Sequence, residues 1–475
     1  MKRILIVGGG VGGLAVGALL LRKGYDVTII EKNNNVGGRA SYLYVDGHGF
    51  DMGPTWYMMD DIYRNYFYEL GVLPRYYRRL RALDPMFSIY INGMRIDVRQ
   101  DVEDLASRLE EIEPGSGEKF ISILNTSTGL YRLVVEKLLY RDYRRPWDML
   151  TPSIFKIFRY IEPAQKMLNR LFKREEPKIL LGYDSLFLGT PPWELPSLYL
   201  LLMIHSLFRG GVYYPQGGMS EVPRFLESYV IDKGGRILTG CEARKIEIMD
   251  GVAKSVKSTC GDHRADIVIA NADYAHVELD LIEERYRGYD EEYWLSRKLA
   301  PSAFILYLGL KKELKDSHHI IVINSWEEHF HRIFRDPGLP NNPSYYIHNP
   351  LSLIGSDKPG IMILVPVAPG LRTNWADLYE LLVRRVERDL GLRLEPSIKM
   401  IFTPQSFERR YNAFMGTALG LRHTFDQTAY YRPSIKSRKV NNLYFVGQYV
   451  HPGIGVPMVL ASAQIVARAI ENDLR

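Results

Sequence analysis

The stretch Ile4-Leu5-Ile6-Val7-Gly8-Gly9-Gly10-Val11-Gly12-Gly13 runs an apolar segment straight into a G-x-G-x-x-G turn at Gly8, Gly10 and Gly13. Four apolar residues in a row suit a parallel strand buried on both faces. Val11 to Lys23 reads as a helix stopped by Gly24, and Tyr25 to Glu31 as a second strand. In that setting Gly8 permits the tight turn, Gly10 lets the backbone approach a pyrophosphate, and Gly13 allows close helix–strand packing. The first helical residues, Val11 and Gly12, offer free N–H groups and a positive dipole end to phosphate. Glu31, 23 residues after Gly8, ends the second strand, where it can accept from both hydroxyls of an adenosine ribose. An acid there disfavours a 2′-phosphate, so FAD or NAD is expected rather than NADP.

The same region contains an uncharged run, Ile4 to Leu21, behind Lys2 and Arg3, which has the outline of an export signal or a spanning helix. Its six glycines argue against that, since each costs roughly 1 kcal/mol against alanine in a helix. Leu195 to Phe208 is too short to span and carries Pro196 and His205, so it reads as a core or interfacial helix. Composition is ordinary for a globular chain: 475 residues, 46% hydrophobic, 24% charged, net charge +6. Cys241 and Cys260 are too few for a disulfide framework, and no Cys/His spacing resembles a zinc site. The expectation is an intracellular protein without a metal.

Moving outward, Glu31-Lys32 leads through three asparagines to Gly37-Gly38-Arg39, and then to Asp51-Met52-Gly53-Pro54-Thr55. Paired glycines before an arginine offer backbone donors and a guanidinium to phosphate oxygens. Here the sequence resembles the flavoprotein superfamily of amine oxidases and carotenoid desaturases. The resemblance implies FAD, with Lys32, Gly38 and Arg39 along the pyrophosphate and Pro54-Thr55 approaching the flavin. Gly210 to Met219 is a second glycine-rich stretch, followed by a helical pattern from Ser220 to Val230 and strands at Gly234–Leu238 and Ala265–Ala272. Ala243 is placed by position as a backbone contact to the adenine ring.

Near the C-terminus, Asn442 to Gly447 reads as a strand and Val459 to Ile470 as a helix rich in small residues. Between them, Gly447-Gln448-Tyr449-Val450-His451-Pro452-Gly453-Ile454-Gly455-Val456-Pro457-Met458 is similar to a signature of bacterial-type phytoene desaturases. The resemblance adds Gly447, Gln448, Gly455, Val456 and Met458 to the FAD contacts. Pro457 suits a first helical turn, leaving N–H groups free for the flavin edge. His451, beside Pro452 and Gly453, reads as a loop-shaping residue. Gln448-Tyr449-Val450 and Met458 depart from the family's smaller residues.

Charge is concentrated between Tyr131 and Glu175, where eleven Lys/Arg face five acids. Interleaved with them are Trp147, Leu150, Ile154, Phe158 and Ile161, then Met167, Leu168, Leu171 and Phe172. A basic amphipathic stretch of this kind suits an anionic membrane surface, and a flavin domain makes nucleic acid the poorer partner. A polyisoprenoid has no polar handle, and its burial from lipid gains almost nothing, so its tunnel should open onto a bilayer. Arg141-Asp142 falls where the resembled family has a charged pair and is the candidate for assisting proton transfer; a surface ion pair is the plainer reading.

The expected architecture is α/β. A discontinuous, Rossmann-like FAD-binding domain of the GR2 type is drawn from residues 1–75, 210–285 and 420–475. An inserted α+β substrate domain with a helical membrane-facing region takes 76–209 and 286–419. The resemblance implies FAD-dependent desaturation of phytoene or a related carotenoid, in a cytoplasmic, peripherally membrane-associated protein whose homo-oligomeric state is left open. Rivals are an isomerase or saturase on the same scaffold, a prenyl-lipid-binding protein resembling Rab GDP-dissociation inhibitors, and an amine oxidase.

Overall fold

A computed structural model describes residues 2–350 and 357–475; part of the second expected unit, 351–356, lies outside the described residues. The opening apolar run forms strand β1 (Arg3–Val7), which pairs in parallel with β2 (Asp26–Ile30) on one side. Arg236–Leu238, labelled β3, extends the sheet beyond β2. On the other side of β1 lie β4 (Ile267–Ala270) and β5 (Leu443–Phe445). The order β5-β4-β1-β2-β3 is parallel throughout. Ile4 to Val7 are buried because β1 is central and covered on both faces, which is why the run shows no alternation.

Helix α1 (Val11–Arg22) follows the glycine turn and packs against the sheet and against the C-terminal helix α2 (Val456–Leu474). A Cβ at Gly17 would lie 3.1 Å from Ile6 and 3.2 Å from Ile29, so the uncharged run is a strand, a turn and a helix pressed onto the sheet. No helix among the described residues is long and apolar enough to cross a membrane. Helix α2 begins three residues earlier than Val459, with Pro457 in its first turn as the sequence suggested.

A second, seven-stranded sheet is mixed and mostly antiparallel. Ser302–Leu310, Gly360–Val367, Tyr345–His348, His319–Ile323 and Phe87–Ile91 form its middle. Met94–Val98 and Pro396–Phe402 are its edges. The join of His319–Ile323 to Phe87–Ile91 is its parallel pairing. All nine residues of Ser302–Leu310 are buried, so this strand too is apolar on both faces.

The structure adds one feature and corrects two expectations. Cys241 and Cys260, too few for a framework, are joined in a single disulfide, with Cα atoms 5.3 Å apart. Cys241 precedes the strand Ala243–Met249, and Cys260 lies in the turn between Val252–Ser258 and Gly261–Arg264. Antiparallel pairing of Ala243 with Ser258 therefore brings the flanking cysteines together. His263 joins them, so a Cys/His cluster exists that sequence spacing did not reveal, although both sulfurs are bonded to each other.

The basic stretch is not one amphipathic helix. It breaks into short turns at Pro146–Met149, Pro152–Ile157 and Phe158–Tyr160, each helical piece opened by a proline or ended within two turns. Ile154 turns inward, leaving Trp147, Leu150, Phe155, Phe158 and Ile161 exposed. Met167, Leu168 and Phe172 belong to the core.

Candidate active site

One cavity of about 490 Å³ runs between the two sheets. At one end the glycine turn forms its floor. Gly8 has φ +102°, and a Cβ on Gly12 would sit 2.5 Å from Asn271 Oδ1. Gly13 does not line the cavity; a Cβ there would lie 2.1 Å from the Gly8 carbonyl, so its part is close packing. The remaining residues named for cofactor contact, from Gly8, Gly10, Val11 and Gly12 through Gln448, Gly455, Val456 and Met458, are on the wall.

Two helix N-termini face this end. Gly10 and Gly455 are the residues that precede α1 and α2; neither helix has a side-chain cap or an acid in its first turn. Both therefore present free N–H groups and positive dipole ends to the same space. The Gly37-Gly38-Arg39 loop is brought alongside by the Gly37 N–H, which donates to Gly9 O at 2.8 Å. The Arg39 guanidinium donates to Thr417 O at 3.2 Å and lies 5.2 Å from the Tyr411 ring, while its Nε is buried without a protein partner. Gln448 Nε2 is likewise buried and unpartnered. Orphaned donors beside two uncapped helix starts are what an anionic cofactor would satisfy.

Glu31 is buried at the end of β2. Its Oε2 accepts from Gly9 N at 2.8 Å; its Oε1 accepts from the Asn33 backbone at 2.8 Å and the Asn33 amide at 2.7 Å. These donors fix the carboxylate, and Oε2, which accepts one of them, keeps a second acceptor direction. Lys32 is held by Arg409 O and Asn412 Oδ1. Ala243 and Cys241 line the cavity beyond Glu31, and Cys241 N donates to Glu31 O at 2.8 Å. Sequence reasoning missed Asn271, whose amide donates to Gly8 O at 3.0 Å and braces the glycine turn. The available signal was an asparagine directly after the apolar strand β4.

The Asp51–Thr55 turn is tied down from behind. Asp51 Oδ2 accepts from Tyr214 OH at 2.6 Å and Met219 N at 3.2 Å, which explains the second glycine-rich stretch: it wraps this carboxyl. Burial pushes the Asp51 pKa up to about 6 against the opposing pull of these hydrogen bonds. Thr55 Oγ1 is 2.7 Å from Tyr346 OH. His451 Nε2 donates to Leu139 O at 2.9 Å, and burial pushes its pKa down to about 4, in keeping with a loop-shaping role.

Past Thr55 the wall becomes apolar, with Met58, Phe187, Leu188, Ile305, Ile321 and Leu364 among its members. Asp184 is also there, buried, with burial pushing its pKa up to about 7. Arg141 and Asp142 are not on the wall. Asp142 instead accepts from Arg144 at 2.5 Å, and Arg144 also holds Asp473 at 3.0 Å. The structure thus separates the sequence's proton-transfer candidates from the cavity; in sequence, nearness to a family position hid their turn toward the C-terminal helix.

Residues 11–471 match the family described as flavin containing amine oxidoreductase. The carotenoid 3,4-desaturase of Haloarcula japonica is 38% identical, covering 99% of this chain and 98% of its own. The 4,4'-diapophytoene desaturase (4,4'-diaponeurosporene-forming) of Staphylococcus haemolyticus is 32% identical over 99% of both chains. Among solved structures, an oxidoreductase from Methanosarcina mazei superposes with TM-score 0.64 at 18% identity, covering 99% of this chain and 100% of that one. A putrescine oxidase superposes with TM-score 0.65 at 14% identity, covering 99% of each. The last two show the fold alone. The chain belongs to the flavin containing amine oxidoreductase family, among its carotenoid desaturases. It is an FAD-dependent oxidoreductase, and the residues at the glycine-rich end fit that cofactor.

Proposed function

We propose that the protein introduces C=C bonds into a polyisoprenoid of the carotenoid type. The observation that carries this reading is a cavity that joins an anion-binding end made largely of backbone to an apolar end into which, among the described residues, no ion pair reaches. The full-length relatives named as carotenoid desaturases support it. FAD, when bound, supplies the two-electron acceptor for the C–H bond being oxidised. Gly8, Gly10, Val11, Gly12, Glu31, Gly38 and Arg39 would hold its adenosine and pyrophosphate; Thr55, Gly447, Gln448, Gly455, Val456 and Met458 would border the flavin. The apolar wall orients the chain and keeps water from the reacting carbons.

The five-stranded parallel sheet is read as the Rossmann-like, GR2-type unit, because its strands come from the three expected segments. The seven-stranded sheet, drawn from the intervening segments, is read as the substrate unit. For the membrane contact we take the face formed by Leu150 (72% exposed), Phe155 (65%) and Trp147 (60%). Phe158, Ile161 and Tyr431 are exposed as well, and the turn carrying Tyr431 packs on the one carrying Trp147. Arg145 lies 5.7 Å from the Trp147 ring and Arg159 5.0 Å from Tyr160, so aromatic and cationic groups alternate as at a lipid headgroup boundary.

Expression in a host that accumulates a colourless polyisoprenoid tests the reading. Products with longer-wavelength absorption and two fewer hydrogens per new double bond are expected. Altered absorption at unchanged mass would indicate an isomerase instead, and no change in either would remove the proposal.

A further inference from the structure

We propose that Cys241, Cys260 and His263 form a redox-gated site for a zinc-class cation, closed as a disulfide and opened when a dithiol reduces it. The site is independent of the desaturase reading. Among the described residues, they are the one group of three Cys, His, Asp or Glu side chains whose ligand atoms all lie within 4.8 Å of one another. The register that pairs Ala243 with Ser258 brings the cysteines together, and the turn after Cys260 returns His263 opposite Val256.

The imidazole is already at ligand spacing. Zinc–sulfur bonds of about 2.3 Å and zinc–nitrogen bonds of about 2.0–2.1 Å, meeting at a tetrahedral angle, put sulfur and nitrogen about 3.5 Å apart. His263 Nε2 is 3.5 Å from Cys260 Sγ and 3.8 Å from Cys241 Sγ. Ser258 Oγ stands at the fourth corner, 3.0 Å from His263 Nε2, 3.2 Å from Cys241 Sγ and 3.4 Å from Cys260 Sγ. Its hydrogen goes to Gly261 O at 2.7 Å and it accepts from Cys260 N at 3.2 Å, which leaves one lone pair for the cluster. Only the sulfurs are too close to share a cation, because they are bonded to each other. Cys260 is exposed, so its side chain can swing aside once that bond is cut, while Cys241 stays on the cavity wall.

The gate is a two-electron exchange. A dithiol gives two electrons and two protons to the Cys241–Cys260 bond, which becomes two thiols as the dithiol becomes its own disulfide. A divalent cation then displaces both thiol protons to solvent and takes the two thiolates, with neutral His263 binding through Nε2. Disulfides persist in oxidising compartments and are opened in reducing ones, so the same residues supply a cross-link in either. What they tie down is the adenosine end of the cavity. Cys241 N donates to Glu31 O at 2.8 Å and Gly240 N to Asn33 O at 3.0 Å. The cation replaces the disulfide as the pin between this segment and the hairpin of Val252–Ser258 and Gly261–Arg264.

The test uses tag-free, FAD-loaded protein, reduced with a dithiol that is then removed by anaerobic gel filtration. Two thiols per chain, the full cysteine count, should react with a thiol reagent after reduction and none before. Cobalt(II) should then give thiolate-to-metal absorption and the red-visible bands of a tetrahedral site, beyond the flavin's own spectrum, and zinc should erase them. X-ray absorption of the zinc form should show two sulfurs at about 2.3 Å and lighter ligands at about 2.0–2.1 Å. His263→Ala leaves both sulfurs in place, so it should still form the disulfide. Once reduced, it should bind zinc at least about 100-fold more weakly, at or beyond the top of the about 10–100-fold that a supporting residue costs. Cys260→Ser should show no cobalt–thiolate site, with FAD content unchanged. Reduced wild type without cobalt–thiolate absorption, or with the same zinc uptake as before reduction, overturns the site whether or not the variants fold. His263→Ala that binds zinc as tightly as wild type overturns it too.

Discussion

The two ends of the cavity are made of different material. At the cofactor end most contacts are backbone, with few side chains such as Glu31 and Arg39: the Gly8–Gly12 turn, the Gly37–Gly38 loop and the first residues of α1 and α2. At the hydrocarbon end they are side chains from both the Tyr183–Leu188 region and the seven-stranded sheet. A site made of backbone has to be specified by residues that leave the backbone bare, so it is written locally as glycine at fixed offsets. A wall of side chains is set by which strands pair, and many apolar residues serve equally. The difference predicts that single substitutions act sharply at the first end and weakly at the second.

Gly12→Val is the most direct attempt to break that asymmetry. Its Cβ would already meet Asn271 Oδ1 at 2.5 Å, and Asn271 is committed to Gly8. Flavin affinity should fall about 100-fold or more, equal to about 3 kcal/mol, measured by retained flavin absorbance after gel filtration. Leu364→Ala in the apolar wall should leave FAD content unchanged. Equal flavin loss in both would erase the distinction.

The exposed face gives the next largest effect. Leu150→Asp with Phe155→Asp removes two apolar groups from the surface proposed to meet lipid. Partition onto anionic vesicles should drop about tenfold or more, with little change in melting temperature. Unchanged partition would take the membrane from this face. Arg39→Ala should weaken FAD by about tenfold by titration, since the cofactor's phosphate loses a guanidinium whose buried Nε has no protein partner. An unchanged dissociation constant would remove Arg39 from the phosphate site.

Acid should act on the buried histidines. Burial lowers His318 and His423 to about 3 and His329 and His451 to about 4, with His319 and His348 well below 6.5. Between about pH 6.5 and 4 the unfolded chain therefore binds more protons at these groups, so they make stability fall as pH falls. Asp51, at about 6, and Asp184 and Glu278, at about 7, are raised by burial and act the other way. His205 is lowered as well, and Asp142, Glu227 and Asp273 are raised; the seven lowered histidines outweigh the six raised carboxyls. Melting temperature should decline by several degrees from pH 6.5 to 4.5; a rise would show that the carboxyls dominate.

The cofactor end was legible because its signals are local: strand, glycine spacing, acid, second strand. The hydrocarbon end was not, because Tyr346 and Ile321 enter it through strand pairings between segments far apart in sequence. The Cys241–Cys260 bond was hidden for the same reason, needing the Ala243–Ser258 register to be known. The basic stretch misled through its spacing. Ile154, Phe158 and Ile161 suit one helix face, yet Pro146 and Pro152 cut the segment into short turns and turn Ile154 inward. Arg141-Asp142 misled through family position, while Arg144 draws Asp142 toward Asp473.

The central claim is that the cavity couples a two-electron cofactor to C–H oxidation of a hydrocarbon. Its most direct test is anaerobic mixing of purified, FAD-loaded protein with a colourless polyisoprenoid in vesicles. Bleaching of the flavin in step with product lighter by two hydrogens, one double bond per flavin, is the predicted result. Product of unchanged mass, or a flavin that stays oxidised while the substrate is consumed, would contradict it.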